Sequence, residues 1–437
     1  MEKKPKVLVI SYYWYPFAGV GTYRVSRFVK YLQRLGWEVV VLTAKKASSG
    51  HRADPDDPLL ARVKVYRSSI IEPTQLLSNK NSGKTSVTHN PSIFYAKNKG
   101  LLAKIAVWMR LNILIPDAKL TWKWFAVPLG KKVIKQEAPD IIFSTSPPPT
   151  THRIAQQLAS WSAIPWLADF RDPWTNIYYY DQTPLGPLAA KKNKRLEEKV
   201  LRSADKITVV NHGFFNELPD SIRAKMQRIT NGYDPDHIQA QENIPHRNEA
   251  FTIRYFGSLK INQRPTAFLE ALSRIENENP EIAHRIRFEF FGSLDSSVEA
   301  EIESICDHIT FKKSEFIQHS DMMALLPKSD LLLLSIGNSK NSSYALSTKV
   351  FEYMISGSKV LGIGPSQGAA AEVVAKTGIG KFFERDDTAG VYAYLITCFE
   401  AFNRNESAFT IRNESMEKYS FNKLSQQLDS TMKELIR

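Results

Sequence analysis

Apolar runs alternate with amphipathic segments through the first half of the chain. Lys6–Ser11 (KVLVIS) has the mostly apolar character of a strand buried on both faces. Thr22–Leu35 follows with apolar residues at helical spacing, and Glu38–Ala44 is a second apolar run. The same pattern predicts further strands at Val63–Arg67, Asp140–Ser146, Pro165–Arg171, Lys206–Asn211 and Arg228–Thr230, and helices at Thr150–Ser162, Leu188–Leu201 and His212–Leu218. Alternating strands and helices predict a parallel sheet covered on both faces.

A polar segment with two prolines, Tyr233–Ala250, interrupts this alternation and is interpreted as an interdomain linker. The pattern then restarts, with strands predicted at Ile253–Ser258, Arg287–Gly292, Asp330–Ile336 and Lys359–Gly364 and helices at Pro265–Ile275 and Ser296–Cys306. We therefore predict an α/β fold of two doubly wound parallel-sheet domains, residues 1–235 and 236–415. A loop insertion is expected at about 70–100, and a polar helix at 416–437 is expected to cross back to the first domain.

The composition excludes several classes of protein. Of the 437 residues, 43% are hydrophobic and 24% charged, which is typical of a globular chain rather than a disordered or fibrous one. Two cysteines, Cys306 and Cys398, are too few for a disulfide scaffold or a four-cysteine zinc module. The first residues lack the long apolar core of a signal peptide, and no apolar run reaches the length of a membrane span. We expect a cytoplasmic protein.

Positive charge is concentrated in the first half. Residues 1–200 contain 31 Lys and Arg against 14 Asp and Glu, whereas residues 201–437 contain 27 against 31. A stretch rich in Trp, Leu and cations lies at about 97–125 in the basic half. Cations beside aromatic rings are typical of an interfacial helix, so we expect peripheral contact with the anionic inner face of the cell membrane. A basic surface that aids solubility and an ordinary core-facing helix are the alternatives.

Three motifs of the first half follow predicted strands. Gly19-Val20-Gly21 lies between a strand and a helix, where glycines let backbone amides approach a phosphate or sugar; a structural turn is the alternative. His152 lies near the start of a helix, as a site residue or as a packing residue. The DFRDPW motif places Asp169, Arg171, Asp172 and Trp174 after a buried strand, at the sheet edge where α/β proteins bind ligands. We interpret it as an acceptor site with Asp172 as base or orienter, or alternatively as a fixed salt-bridge cluster.

The second half contains two candidate phosphate-binding segments. Gly257 and Ser258 end a predicted strand and are followed by the cations Lys260 and Arg264, which suit a diphosphate. Farther on, Ser347 and Thr348 precede a helix on which Lys349 and Glu352 are three residues apart and share a face. The lysine suits a phosphate and the carboxylate suits two ribose hydroxyls, whereas a surface ion pair is the alternative reading.

No metal site is implied by the sequence. Asp234-Pro-Asp236 resembles the DxD of metal-dependent sugar transferases, but it lies in the linker without a preceding buried strand and is interpreted as a turn. The chain has no HExxH motif, no cysteine pair and no Walker A sequence. We expect neither a metal nor another cofactor.

Taken together, these motifs resemble the GT-B glycosyltransferases, in particular the large retaining family 4. The strongest likeness is KVFEYMISGSKVLGIGP, followed by the opening KVLVIS…GVGTYRVSRFVKYLQRLGWEVVVLTA and by ITNGYDPD. STSPPPTTH and DFRDPW are similar to a bacterial subgroup that builds surface polysaccharides such as lipopolysaccharide or capsule. The resemblance implies two Rossmann-like domains facing a central cleft.

The resemblance also implies roles for individual residues. Glu352 would bind the ribose hydroxyls of a nucleotide sugar. The diphosphate would be surrounded by Gly257, Ser258, Arg264 and Lys349, and Ser347 and Thr348 would also bind the donor. Gly19, Val20 and Gly21 would close over the sugar phosphate. The acceptor, a glycan or polyprenyl-linked glycan, would lie near Asp169 and Trp174, with His152, Arg171 and Asp172 as catalytic candidates.

Four positions depart from the family pattern. Tyr344 stands where the family commonly has a second glutamate, eight residues before the ribose-binding one. Ser258 and Gln263 stand where an arginine and a lysine are common, and Arg171 follows the strand where a histidine is often found. The implied activity is transfer of a hexose or N-acetylhexosamine with retention. A nucleotide-sugar 2-epimerase of similar fold and a catalytically inactive membrane-binding homologue are the alternatives; no nucleic-acid partner is expected.

Overall fold

The chain folds into two compact units. A computed structural model describes residues 3–17, 20–45, 55, 57–72, 108–177, 180, 185–239, 248–406 and 414–436. Unit 1 comprises residues 1–230 together with 421–437, and unit 2 comprises residues 231–420.

Unit 1 is built on a seven-stranded parallel sheet with the order β3-β2-β1-β4-β5-β6-β7. Its strands are β1 (Lys6–Ile10), β2 (Glu38–Ala44), β3 (Lys64–Ser68), β4 (Ile141–Ser146), β5 (Trp166–Phe170), β6 (Lys206–Val209) and β7 (Met226–Arg228). Its helices are α1 (Val20–Arg34), α2 (Pro58–Ala61), α3 (Trp122–Glu137), α4 (Thr150–Ser162), α5 (Pro187–Ser203) and α6 (Asp220–Arg223).

Side chains alternate along the strands of unit 1 between two apolar layers. On β1, Leu8 and Ile10 face the layer that α3, α4 and α5 cover, whereas Val7 and Val9 face the layer that α1 covers. All four are fully buried, which explains why these strands read as apolar runs rather than as alternating patterns. The sheet therefore separates a face of three helices from a face built on α1.

The segment Phe421–Ile436 forms a helix that packs against α1 and completes unit 1. The ring of Phe421 lies 5.4 Å from that of Phe28 and 5.8 Å from that of Tyr23. Trp37 donates from Nε1 to Asp429 at 2.7 Å. Unit 2 is thus inserted, in sequence, between the seven-stranded sheet and the helix that covers one of its faces.

Unit 2 contains a six-stranded parallel sheet with the order β10-β9-β8-β11-β12-β13. Its strands are β8 (Phe251–Phe256), β9 (Ile286–Phe291), β10 (Thr310–Ser314), β11 (Leu331–Ser335), β12 (Lys359–Ile363) and β13 (Gly380–Phe383). Its helices are α7 (Asp236–Gln239), α8 (Thr266–Glu278), α9 (Pro280–Ala283), α10 (Ser296–Ile305), α11 (His319–Leu325), α12 (Lys349–Met354), α13 (Ala369–Thr377), α14 (Thr388–Asn403) and α15 (Glu414–Glu417); Phe421–Ile436 is α16.

Two predicted elements of unit 1 are wrong in extent. The helix expected at His212–Leu218 is a single 3₁₀ turn, His212–Phe215, because Pro219 follows closely and Asn211 caps the turn through Gly213 N at 2.9 Å. The strand expected at Arg228–Thr230 is shifted to Met226–Arg228. Among the helices that the structure describes, none is both long and apolar enough to cross a membrane.

Candidate functional site

The carboxyl edge of the unit 2 sheet carries the glycine that the sequence predicted at the end of β8. Gly257 has φ +110°, a conformation that disfavours a side chain. A Cβ built at Gly292, the equivalent glycine after β9, would lie 2.2 Å from the carbonyl oxygen of Gly257. Two strand ends therefore approach each other closely through glycine backbone.

Lys349 lies directly at this glycine. A Cβ at Gly257 would be 2.9 Å from Lys349 Nζ, and the ammonium sits 4.1 Å from the ring centroid of Tyr255. The Tyr255 hydroxyl in turn donates to the Ser258 carbonyl at 2.9 Å, and Ser258 itself is exposed. Lys349 is half-buried, and its described contacts include no carboxylate. The ammonium thus carries an unneutralised charge at the strand end.

Glu352 follows one turn later on α12, but it does not pair with Lys349. Its side chain is 12% exposed, and Oε1 lies 3.1 Å from Nε2 of His319, the first residue of α11. The alternative reading of Lys349 and Glu352 as a surface ion pair is therefore wrong. His319 was not predicted, because a residue 33 positions away shares no motif with Glu352.

The start of α12 is shaped by Ser347 and Thr348. Ser347 Oγ accepts a hydrogen bond from Lys349 N at 3.3 Å, and the Thr348 carbonyl accepts from Glu352 N at 3.3 Å. A glycine-rich turn after β12 lies beside this segment, since a Cβ at Gly368 would be 3.1 Å from the carbonyl oxygen of Ser343. The structure thus brings the β8 end and the α12 start together through Gly257 and Lys349.

Arg264, which the sequence placed at the diphosphate, is paired with a carboxylate in the structure. Its guanidinium forms a bidentate ion pair with Glu301 of α10, with Nε donating at 2.7 Å, and Nη1 donates to Thr266 Oγ1 at 2.7 Å. The Glu301 carboxylate neutralises the cation and turns it toward α10. Lys260, half-buried in the loop between Ser258 and Arg264, is the remaining cation of the segment, and burial lowers the pKa of its ammonium.

In unit 1, Asp169 is a buried ion-pair residue rather than an acceptor contact, which agrees with the alternative interpretation of DFRDPW as a fixed salt-bridge cluster. It is fully buried at β5 and bonds Arg24 of α1 through both carboxylate oxygens, at 2.8 and 3.1 Å. Hydroxyls of Thr145 and Thr208 donate to the same carboxylate at 2.7 and 2.8 Å. Burial opposes ionisation, but the guanidinium and these hydroxyls hold the pKa of Asp169 below its usual value.

Arg24 extends this network to the last residues of unit 1. Its Nη1 donates to the Thr230 carbonyl at 2.5 Å and its Nη2 to the Ile229 carbonyl at 2.8 Å. Arg24 is not among the site residues predicted from the sequence. Arg24 lies on the buried face of α1, and Asp169 is a carboxylate within the apolar strand β5. These two opposite charges in apolar surroundings could have predicted a buried ion pair.

Arg171 joins three segments that follow strands of the unit 1 sheet. Its guanidinium donates to three backbone carbonyls: those of Ser146 at 3.0 Å, Pro147 at 2.9 Å and Gly21 at 3.1 Å. Burial away from bulk water lowers the pKa of this guanidinium. The side chain therefore positions the β4 and β1 loops relative to β5.

Asp172 is the carboxylate of the DFRDPW motif that remains accessible. Its side chain is exposed immediately after Arg171, and it makes no hydrogen bond or ion pair with the residues that the structure describes. Asp172 thus stands at the carboxyl edge of the sheet on a segment that Arg171 and Asp169 hold in place. An exposed carboxylate on a fixed backbone is suited to orient or deprotonate a hydroxyl.

His152 and Trp174 are both core residues. His152 is fully buried, its Nδ1 lies 2.8 Å from Ser144 Oγ, and its ring is 4.3 Å from that of Phe170. Burial lowers the pKa of His152 to about 3, so the imidazole is neutral. Trp174 is 3% exposed and donates from Nε1 to Asn193 at 2.8 Å. Neither side chain reaches solvent, which corrects their predicted catalytic and acceptor roles.

The predicted glycine loop is described only in part. Gly19 lies outside the described residues, and Val20 is described only as the first residue of α1. A Cβ at Gly21 would lie 2.4 Å from the ring of Tyr13, so a larger residue cannot fit there without displacing that ring. The close approach accounts for the glycine at position 21.

The remaining predictions concern the linker and the Trp-rich stretch. Asp234 accepts a hydrogen bond from Asp236 N at 3.2 Å, which confirms the turn. Among the described residues, no group of three or more His, Cys, Asp or Glu side chains is arranged to hold a metal. In the stretch at 97–125, residues 97–107 lie outside the described part. Trp122 is fully buried, whereas Trp108 and Trp124 are 58% and 64% exposed.

Comparisons with known proteins agree with this architecture. Residues 18–232 match the family model of the Glycosyl transferase 4-like domain. A sequence search of curated proteins finds no match. The fold is similar to that of a glycosyltransferase from Rickettsia africae, with 14% identity and a TM-score of 0.61 over 100% of this chain and 99% of that one.

Two further structures are similar over nearly their whole length. The sucrose-phosphate synthase of Thermosynechococcus elongatus is 14% identical with a TM-score of 0.64, over 99% of both chains. HepE of Anabaena, solved in complex with UDP, is 13% identical with a TM-score of 0.59, over 98% of this chain and 100% of that one. The predicted fold class, two Rossmann-like domains of the GT-B type, is confirmed.

Proposed function

We propose that this chain, whose residues 18–232 match the glycosyl transferase 4-like domain, transfers a sugar from a nucleoside-diphosphate sugar to a glycan or lipid-linked glycan acceptor. The single observation that carries the proposal is the arrangement of Lys349 and Glu352 beside Gly257 at the carboxyl edge of the unit 2 sheet. Both the match in unit 1 and the GT-B fold of the whole chain support glycosyl transfer.

The donor is bound by unit 2. The carboxylate of Glu352 accepts hydrogen bonds from the ribose hydroxyls, and Lys349 lies one helical turn before it, where the diphosphate follows the ribose. Gly257 has no side chain in the way of a phosphate, and a Cβ there would lie 2.9 Å from Lys349 Nζ. The HepE structure, whose fold is similar, holds UDP.

Departure of the nucleoside diphosphate is the step that this site assists. When the bond between the sugar and the phosphate breaks, negative charge develops on the β-phosphate. The ammonium of Lys349 is pre-positioned by the Tyr255 ring at 4.1 Å and needs no reorganisation to stabilise that charge. Lys260 is a second cation on the same loop as Gly257.

The acceptor is handled by unit 1, with Asp172 as the group that orients or deprotonates its hydroxyl. In a retaining reaction the acceptor attacks on the face that the leaving group vacates, and the departing phosphate takes the proton. Asp172 then orients the acceptor. If Asp172 acts from the opposite face as a base, the product is inverted. Tyr344 stands where the family commonly has a second glutamate. The anomeric configuration of the product is therefore the measurement that distinguishes retention from inversion.

We further propose that the transferred unit is a hexose or N-acetylhexosamine and that the product belongs to a surface polysaccharide. STSPPPTTH and DFRDPW, the motifs similar to the polysaccharide-building subgroup, lie at the ends of β4 and β5. The basic first half and the exposed Trp108 and Trp124 support a membrane-borne acceptor reached through peripheral contact at about 97–125.

Nucleotide-dependent thermal stabilisation tests the donor site. Wild type, Glu352→Gln and a matched control, Glu281→Gln, are heated with UDP, GDP, ADP or dTDP. Glu281 is exposed on α9, which precedes β9 and therefore lies at the opposite edge of the sheet. A nucleotide at 100 times its dissociation constant stabilises by about 2.7 kcal/mol. We expect one nucleotide to stabilise wild type and the control but not Glu352→Gln; equal stabilisation of all three would contradict the site.

A further inference from the structure

The outward sides of α3, α4 and α5 form a continuous surface of unit 1, called here the three-helix face. The inward sides of these helices pack on one layer of the seven-stranded sheet, with α4 between α3 and α5. The three helices contain eleven cations and three carboxylates. The cations are Lys123, Lys131, Lys132, Lys135, Arg153, Lys191, Lys192, Lys194, Arg195, Lys199 and Arg202.

None of these eleven cations forms an ion pair with a described residue. Two of the three carboxylates are engaged elsewhere: Glu137 pairs with Lys64 and accepts from Tyr66, and Glu197 is buried and bonded to Thr175. Glu198 is the remaining one, and it lines a groove of about 500 Å³ together with Arg195, Lys199, Arg202 and Ser203. Protein surfaces ordinarily carry interspersed charges of both signs. This excess of cations therefore produces a positive field over the three-helix face.

Cations from all three helices converge at one end of the face. Lys123 of α3 is close enough to Arg153 of α4 and Lys199 of α5 to be repelled by both. Partial burial, followed by these two charges, lowers the pKa of the Lys123 ammonium. Gln156 connects the helices here, since its amide donates to the Lys199 carbonyl at 3.0 Å. An external anion would relieve the repulsion among the three cations.

Large apolar side chains are interspersed with the cations. Trp124 is 64% exposed, Trp161 is 42% exposed and Leu188 is 85% exposed. The ammonium groups of Lys131 and Lys135 lie 4.9 and 5.8 Å from the ring centroid of Trp161. Cations beside exposed tryptophan and leucine are typical of protein surfaces that lie at the headgroup level of a bilayer.

The opposite face of the same sheet lacks this character. On α1, Lys30 and Arg34 lie 3.2 and 3.6 Å from the carboxylate of Asp57. On α16, Lys433 lies 3.0 Å from Asp429. Because these cations of α1 and α16 are paired, whereas the eleven cations of α3, α4 and α5 form no ion pair with a described residue, the positive field is a property of the three-helix face rather than of unit 1 as a whole.

We propose that the three-helix face docks on the anionic phospholipid surface of a membrane. Phosphate headgroups neutralise the unpaired cations, while Trp124, Trp161 and Leu188 enter the headgroup boundary. This surface extends well beyond the stretch at 97–125, because α4 and α5 supply seven of the eleven cations. The purpose of docking, access to a lipid-linked acceptor, rests on the proposed function, but the binding itself involves no sugar transfer.

Vesicle sedimentation of the full chain tests the proposal. The probes are vesicles of phosphatidylcholine alone and of phosphatidylcholine mixed with phosphatidylglycerol. The test variant is Lys192→Gln/Arg195→Gln/Lys199→Gln. The matched control, Arg287→Gln/Lys312→Gln/Lys381→Gln, removes the same charge from exposed positions of unit 2. Each cation near an anionic surface contributes about a factor of five in partitioning, so the test variant should bind roughly 100-fold more weakly.

We expect wild type and the control to sediment with the phosphatidylglycerol vesicles and not with phosphatidylcholine alone. Equal binding of the test variant and the control would overturn the proposal. Binding of a single-stranded oligonucleotide without binding to the phosphatidylglycerol vesicles would also overturn it, in favour of nucleic acid. A Trp124→Ala variant should lose most of the binding that persists at high salt, since that part depends on apolar contact.

Nucleotide stabilisation of the same variants separates the two proposals. The test variant should keep the nucleotide-induced thermal shift of wild type, because its substitutions lie in unit 1 and the donor site lies in unit 2. Loss of vesicle binding with an intact shift supports docking on folded protein. The Glu352→Gln variant should lose the nucleotide-induced thermal shift and keep its vesicle binding. That result would show that docking does not depend on the proposed donor site.

Discussion

Replacement of Asp169 by Asn should destabilise unit 1 strongly while leaving the shape of the residue unchanged. Asp169 is fully buried and Arg24 is 2% exposed. The substitution replaces the carboxylate that bonds the guanidinium through both oxygens with a neutral amide. Breaking a buried ion pair by removing one partner costs about 3–5 kcal/mol. We expect the free energy of unfolding of unit 1 to fall by about that amount.

Tryptophan fluorescence during urea unfolding measures this change in unit 1 alone. All eight tryptophans lie in unit 1: Trp14, Trp37, Trp108, Trp122, Trp124, Trp161, Trp166 and Trp174. Asp172→Asn, three residues away and exposed, is the matched control and should change the free energy of unfolding by less than about 0.5 kcal/mol. A loss below about 1 kcal/mol for Asp169→Asn would refute the reasoning that Asp169 is the centre of this network.

A double-mutant cycle and a pH series sharpen the same prediction. Arg24→Met together with Asp169→Asn should cost less than the sum of the single changes, because no uncompensated charge remains buried. Since the pKa of Asp169 is lowered in the folded state, its stabilising contribution is complete above the unfolded pKa and is lost as the pH falls through the lower, folded value. Wild type should therefore lose stability below about pH 4, and Asp169→Asn should lose less.

Four further changes probe the site. Gly257→Ala should abolish nucleotide stabilisation, because its Cβ would meet Lys349 Nζ at 2.9 Å. Lys349→Met should weaken binding of a nucleoside diphosphate at least tenfold and of the nucleoside little, by calorimetry. His152→Ala should lower the unfolding free energy by about 2–4 kcal/mol but leave the pH profile of kcat between pH 5 and 8 unchanged, since its pKa of about 3 keeps the ring neutral. Arg171→Lys should lower kcat without changing nucleotide binding, because three carbonyl contacts in unit 1 are lost.

Much of the fold was predictable because both sheets are parallel and buried. The strands at β1, β2, β4 and β11 are long apolar runs, and a run of that kind has few alternatives in an α/β chain. Short or partly exposed elements gave weaker signals. The strand β10 (TFKKS) is polar and mostly exposed, so its sequence does not distinguish it from a loop.

The site was predictable where the chemistry is local and not where it depends on burial. Lys349 and Glu352 share one helical turn, so their spacing alone predicted a common face. In DFRDPW, by contrast, the four site candidates looked equivalent in the sequence, and only their positions relative to the sheet distinguish them. Asp169 points into unit 1, Arg171 bonds backbone carbonyls, and Asp172 alone of the three is exposed without a described partner.

The return of the chain to unit 1 at Phe421 has a consequence for protein synthesis. Residues 231–420 must be translated before α16 can cover the face of α1 that carries Phe28 and Leu32. At about 5–20 residues per second, those 190 residues take roughly 10–40 s, during which this apolar face of the nascent unit is uncovered. A chaperone that binds apolar helix surfaces therefore has a defined interval in which to act, and the interval closes when α16 emerges from the ribosome.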